Sequence, residues 1–226
     1  MIFLTFNIRH AQGQDEQVDI DRIFTTIVNT HADVIALQEV DRFMARSGYI
    51  DQAAVLASAL HMDWRFAASI RHGHCQYGNA ILSKYPIVNE EIKFLPGEKE
   101  RRSMLETIID TGKKRLTVLT THLGVTERDR VRQLPLLKLQ LMKVDFPAIL
   151  IGDFNMEANH PLMIEICELG WRRIAIDEDL GGTVMGGATI DHILWFGDKV
   201  DWHAHSVATS ASDHRPVWVE IDLDMV

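Results

Sequence analysis

The chain is poor in cysteine. Its only two, Cys75 and Cys167, stand far apart among 226 residues and fit no metal-binding or redox spacing. Free thiols in a reducing compartment are therefore expected. No apolar run approaches the roughly 20 residues that a membrane-spanning helix requires. The first residues, Ile2–Phe6, lead straight into Asn7 without a basic start or a cleavage site, so the expectation is a cytoplasmic protein without a signal peptide. Basic residues are also in deficit, 23 against 32 acidic ones, for a net charge of −9. That balance disfavours a broad basic face for nucleic acid, whose affinity is dominated by phosphate neutralisation, while leaving room for a local basic rim. No Pro-, Gly- or Ser-rich linker, low-complexity tract or internal repeat divides the chain. Residues 1–226 are expected to form one domain, large enough to bury roughly 70% of the unfolded surface.

Strand-like runs of branched and aromatic residues occur at about 2–8, 34–38, 64–70, 78–83, 104–109, 116–121, 148–151, 190–195 and 216–221. Helical patterns occupy Asp19–Thr30, Asp51–Leu60, Arg128–Lys143 and Pro161–Leu169, the last with proline in its first turn. Helices and strands alternate early, whereas strands follow strands between 64 and 122. This mixture points to sheets of mixed direction with helices outside them. Leu134, Leu137 and Leu141, with Met142, read as helix core, and Arg71–His74 reads as a hairpin loop.

Polar clusters sit at the ends of these runs. After Ala148–Ile151, Gly152 lets the backbone turn, and Asp153 and Asn155, two apart on an extended segment, face the same way. A carboxylate beside an amide there suits holding a water and binding a phosphate oxygen; the alternative is a plain Asp-Asn turn. Glu39 and Asn7 close two further runs with hard oxygen ligands of the kind Mg²⁺ prefers, and Asp213 would complete the set. Glu39 could instead pair with Arg42 or Arg46. His214 has the chemistry for proton transfer or charge stabilisation, and Asp191 is a candidate to fix its tautomer. His122 is placed to donate to a nonbridging phosphate oxygen, although a lone strand-end histidine is commonly structural. His203-Ala-His205 is spaced by strand alternation and lacks the tight cluster of a zinc hydrolase.

Seven motifs in order, Thr5-Phe6-Asn7, Ile35–Glu39, Gly78–Ser83, Thr121–Leu123, Gly152–Asn155, Ile190–Ile193 and Ser212–Pro216, resemble those of the endonuclease/exonuclease/phosphatase superfamily, which includes DNase I-like nucleases. The resemblance covers nearly the whole chain. It implies an α/β (α+β) fold, a four-layer sandwich of two packed mixed β-sheets flanked by helices, with the active site at one rim. It implies Glu39 as central metal ligand with Asn7 and Asp213 nearby, and Mg²⁺ as the ion, with Mn²⁺ able to substitute. Asp153 would orient or activate water, Asn155 would bind phosphate, Asp191 and His214 would form a dyad, and His122 would contact phosphate. A carboxylate found near Gly78-Asn79 in DNase I-like nucleases is absent here, so the resemblance supplies no partner for His122. Asn79 and Arg102 are candidate substrate contacts, with a solvated loop charge as the alternative for Arg102.

The expected function is a Mg²⁺-dependent phosphodiesterase or phosphatase acting on a small or lipid-derived phosphate ester. A nuclease is the alternative, and an inactive phosphate-binding module a further one. Substrate identity resides in loops 71–77, 96–103 and 181–187, which carry no readable code, and oligomeric state is not legible.

Overall fold

Residues buried on both faces of their strands dictate the architecture, and the computed structural model describes positions 1–145, 147–176 and 181–223. In chain order the elements are β1 (Ile2–Asn7), α1 (Ile20–Val28), β2 (Val34–Arg42), α2 (Gln52–Leu60), β3 (Asp63–His72), β4 (Cys75–Ser83), β5 (Ile87–Leu95) and β6 (Arg102–Asp110). There follow β7 (Arg115–His122), α3 (Glu127–Leu141), β8 (Ala148–Asp153), α4 (Pro161–Cys167), β9 (Arg172–Arg173), β10 (Asp191–Phe196), β11 (Trp202–Ser206) and β12 (Val217–Ile221). Two 3₁₀ turns lie at Arg9–Ala11 and Ala45–Ser47. Asp19 caps α1 by accepting from the amides of Asp21 and Arg22, and Asp51 caps α2 by accepting from Ala54.

The strands form two six-stranded sheets, in the orders β11-β12-β1-β2-β4-β3 and β5-β6-β7-β8-β10-β9. Each contains one parallel pair flanked by antiparallel neighbours, β1 with β2 in the first and β7 with β8 in the second. Each parallel pair is joined through a helix, α1 or α3, as a parallel connection demands. Alternation sorts the side chains: Phe3, Val34 and Ala36 meet Leu116, Val118, Ile149 and Ile151 between the sheets. Leu4, Ile35 and Leu37 turn outward against Ile23, Ile27 and Leu56 of α1 and α2. Leu119 and Leu150 turn outward against Leu134, Leu137, Met163 and Ile166 of α3 and α4. The result is the expected α/β/β/α sandwich, and each such buried side chain contributes about 1.5–3 kcal/mol. Among the described residues no helix is long and apolar enough to cross a membrane.

Several expected boundaries move. β5 escapes the sequence pattern because it is an edge strand that exposes Val88, Asn89, Glu90 and Glu91 and is interrupted by a bulge after Ile87. The presumed loop at 71–77 is mostly paired backbone, with His72 opposite Cys75 across a tight turn in which Gly73 has φ +61°. Arg102 lies in β6 and is buried, so it is not a loop charge. Met142 is 69% exposed, outside the core that holds Leu134, Leu137 and Leu141. Cys75 and Cys167 are unpaired thiols.

His192 shows how the second sheet depends on a neutral imidazole. It is fully buried, its Nε2 meets the Met156 carbonyl at 2.9 Å, and its ring packs edge-on against Phe154. Burial pushes its pKa from 6.5 down to about 4. Because the folded value lies below the unfolded one, the unfolded chain takes up the extra proton, and stability is lost as pH falls from about 6.5 towards 4. Urea denaturation should therefore find that the wild type loses up to about 3 kcal/mol more than His192→Asn between pH 7 and pH 4. Equal losses in both proteins would assign the acid sensitivity elsewhere.

Candidate active site

The carboxyl ends of the two parallel strand pairs lie at the same rim, so the register itself delivers the polar residues. In the first sheet Asn7 is opposite Gln38, immediately before Glu39; in the second, His122 is opposite Asp153. Gly152 permits this approach, since a Cβ there would stand 2.0 Å from the Thr121 carbonyl oxygen. β10 brings Asp191 opposite Asp153 on the other side. The segment before β12 contributes His214 and is tied down by Ser212, whose hydroxyl donates to the Asn7 carbonyl at 2.8 Å and accepts from the His214 amide. Thr183 supports the same corner, its hydroxyl accepting from the amides of Ile190 and Asp191.

Asp153 Oδ2 is the meeting point. Asn7 Nδ2 donates to it at 3.0 Å and to Glu39 Oε1 at 3.1 Å. His122 Nε2 stands 3.5 Å from the same oxygen and His214 Nε2 3.8 Å from it. The other oxygen, Oδ1, accepts from the Asn155 amide at 2.9 Å, closing a turn in which Asn155 holds φ +51° and its side chain donates to the Leu123 carbonyl. Seven of the sequence-derived candidates, Asn7, Glu39, His122, Asp153, Asn155, Asp191 and His214, are thus linked by hydrogen bonds or by approaches of no more than 3.8 Å. Burial, then the Asp191 carboxylate, push the Asp153 pKa up to about 7 against the opposing pull of His214 and the donated bonds.

The two histidines are held by opposite means. His214 Nδ1 meets Asp191 Oδ2 at 2.9 Å, so Nδ1 carries a proton. Burial opposes its charge, but Asp191, Asp153 and Asp213 outweigh burial and push its pKa up to about 9. His122 is buried with Arg102 Nη1 at 3.2 Å from its Nδ1, and burial followed by Arg102 and His214 holds its pKa well below 6.5.

Glu39 sits at the bulge of β2, between Leu37 and Val40, with φ +59°, a conformation that costs a non-glycine residue about 1–2 kcal/mol. Neither arginine takes it up: Arg42 pairs with Asp51 at 2.7 Å and Arg46 grips Asp41 with two bonds of 2.8 Å. Asp213, at 42% side-chain exposure, lies 3.6 Å from Arg9 Nε, a residue the sequence reading passed over although it stands two positions after Asn7. Asn79 stays apart from the cluster, donating across the sheets to the Ser103 carbonyl at 3.0 Å.

The donor set fits a hard divalent cation. Asn7 and Glu39, with Asp213 beyond them, offer amide and carboxylate oxygens only, without a thiolate among them. Asn7 Nδ2 lies between two carboxylates, and its Oδ1, which accepts from the Arg9 amide at 3.1 Å, keeps a second lone pair for a cation. The ligand atoms of Asp153, Asp191 and His214 lie within 4.8 Å of one another, and buried Asp191 Oδ1 has no hydrogen-bond partner among the described residues. Within that trio His214 and Asp191 already satisfy each other through Nδ1 and Oδ2.

Two helix-flanked mixed sheets with such a rim define the DNase I-like class of fold. The chain belongs to the Endonuclease/Exonuclease/phosphatase family, whose profile matches residues 4–214. Its members are phosphoric ester hydrolases and generally use divalent metals. The uncharacterized protein YbhP of Escherichia coli (strain K12) is 29% identical over 154 residues, 59% of each chain. The chain thus spans about three fifths of the length of the curated relatives it matches. An endonuclease/exonuclease/phosphatase from Beutenbergia cavernae superposes with a TM-score of 0.81 at 24% identity, over 99% of this chain and 71% of that one. The mannosyl-6-phosphatase Bt3783 of Bacteroides thetaiotaomicron superposes with a TM-score of 0.74 at 19% identity, over 99% and 100%.

Glu39→Gly separates function from fold. Relief of the left-handed conformation, about 1–2 kcal/mol, offsets the roughly 0.5–1 kcal/mol that glycine's freedom costs. Thermal unfolding should show a variant no less stable than the wild type, while metal-dependent turnover falls to background. Retention of most activity would remove Glu39 from the ligand set.

Proposed function

We propose that the protein is a Mg²⁺-dependent hydrolase of a small or lipid-derived phosphate ester, acting as a phosphodiesterase or phosphatase. The convergence of Asn7, His122 and His214 on one oxygen of buried Asp153, beside Glu39, carries the reading. Glu39 and Asn7, with Asp213 at the rim, would hold the cation, whose chemistry is to neutralise charge on the phosphoryl group and leaving oxygen. Mn²⁺, with a similar preference for oxygen ligands, would substitute.

Asp153 is the candidate base. A pKa near neutrality lets its carboxylate accept a proton from attacking water, and its attachment to Asn155 fixes its direction. His214, as an imidazolium braced by Asp191, balances negative charge on a nonbridging oxygen and is positioned to return a proton. His122 and Asn155 supply neutral donors to the same phosphoryl group. Arg102 touches the site through His122, and Asn79 donates across the sheets to the Ser103 carbonyl.

A net charge of −9 favours a small ester over a polynucleotide. That a mannosyl-6-phosphatase shares this fold is compatible with such a substrate. A panel of bis-p-nitrophenyl phosphate, phosphomonoesters, sphingomyelin-like lipids and plasmid DNA, each with Mg²⁺ or EDTA, tests the assignment. Cleavage of one of the small or lipid esters, lost in EDTA and restored by Mg²⁺ or Mn²⁺, is the expected result. Steeply salt-sensitive cleavage of DNA alone would make the protein a nuclease, and metal-independent turnover would reject the mechanism.

The rate should depend on pH as a bell. Asp153 must be unprotonated, so activity rises with pH through a limb at or below about 7, lowered further by the bound cation. His214 must be protonated, so activity falls as pH passes about 9. A profile of kcat/KM that is flat from pH 5 to 10 would contradict both roles, and Asp153→Asn should lose the acid limb with most of the rate.

A further inference from the structure

We infer that Arg102 is a positioning residue which locks His122 in the neutral tautomer bearing its proton on Nε2, so that the ring presents a hydrogen-bond donor to the phosphoryl site. This rests on the reading of the rim as a phosphate-ester site. The chemistry of the pair carries it. A guanidinium has only N–H donors and no lone pair to offer. Its Nη1 stands 3.2 Å from His122 Nδ1, so that ring nitrogen must be the acceptor and bear no hydrogen. In a neutral imidazole the single proton then belongs to Nε2, the atom that faces Asp153 Oδ2 at 3.5 Å.

The lock is built rather than incidental. Arg102 is 6% exposed and His122 4%, and Nη1 spends its second hydrogen on Glu100 Oε1 at 2.6 Å. The guanidinium is anchored on one side by an acid and on the other by the imidazole. Its charge opposes a second proton on His122, in the same direction as the ring's burial. His214 shows the converse arrangement, in which the Asp191 carboxylate holds the proton on Nδ1 and favours the imidazolium. Both rings thereby turn Nε2 towards Asp153, one as a neutral donor and one as a cation. The gap of 3.5 Å at His122 Nε2 is longer than a hydrogen bond, which leaves the donor available to a substrate oxygen.

The test is spectroscopic first, and needs no turnover. Long-range ¹H–¹⁵N correlation of the imidazole nitrogens in the full chain at pH 7 should show His122 with a protonated Nε2 and an unprotonated Nδ1. Arg102→Gln, whose side-chain amide can still donate to Nδ1, should keep that tautomer. Arg102→Glu, whose carboxylate can only accept, should move the proton to Nδ1. In the assay that establishes the substrate, Arg102→Glu should lower kcat about 10–100-fold relative to Arg102→Gln with little change in KM. A wild-type ring protonated on Nδ1, or on both nitrogens, would overturn the proposal even if the enzyme is active; equal kcat in the two variants would overturn the role while the tautomer stands. If no phosphate ester is cleaved, the nitrogen shifts still decide the lock, and only the reading of the site fails.

Discussion

A single buried carboxylate governs this molecule. Asp153 is 1% exposed, and an anion so far from water is costly unless donors surround it. Its hydrogen-bond donors are Asn7 at the end of β1 and the Asn155 amide one turn on, while the Nε2 atoms of His122, from β7, and His214, from the segment before β12, face it at 3.5 and 3.8 Å. Satisfying this one group therefore requires both sheets to be packed and the C-terminal strand to be docked. The residual penalty appears as a carboxyl that gives up its proton only near neutrality, which is the property a proton acceptor in hydrolysis needs.

The two sheets repeat one scheme without any repeat in sequence. Each places its parallel pair third and fourth in a row of six, with antiparallel strands on either side. Carboxyl ends of parallel strands are where open α/β sheets commonly carry ligands, because a loop must leave there in the direction of the next helix. Here two such ends are apposed, and each supplies half of the site: amide and carboxylate from the first sheet, imidazole and carboxylate from the second. Gln38 joins the halves, accepting from Thr5 on its own sheet and donating to Thr120 on the other.

Much of this was legible because the motifs are contiguous and sit where apolar runs stop. Asn7, Glu39, Asp153, Asp191 and His214 each follow or begin a run whose burial is obvious, so their location at strand ends could be read directly. The four helices were legible from amphipathic spacing and from capping residues such as Asp19 and Asp51. What stayed hidden depended on lateral register. Arg102 and His122 are 20 positions apart and meet only because β6 pairs with β7, and nothing local distinguishes Arg102 from exposed Arg101. β5 was invisible because an edge strand need satisfy only one neighbour and one buried face. The loop expected at 71–77 dissolved into a hairpin because backbone pairing does not demand apolar side chains there.

The bulge in β2 has an arithmetical consequence. Leu37 and Val40 both point at the helices α1 and α2, although residues three apart on a regular strand should point to opposite sides. The inserted position restores the parity of the count, so everything after it keeps its proper inside and outside. Removing one residue here would leave Leu37 and Val40 two apart on a regular strand, so Val40 would still face the helices while the bulge that displays the acidic group at 39 would be lost. The extra length of this strand thus serves the centre and not the wall: a single codon lost from the bulge would leave the packing against the helices in register and take away the backbone turn on which the acidic group is displayed.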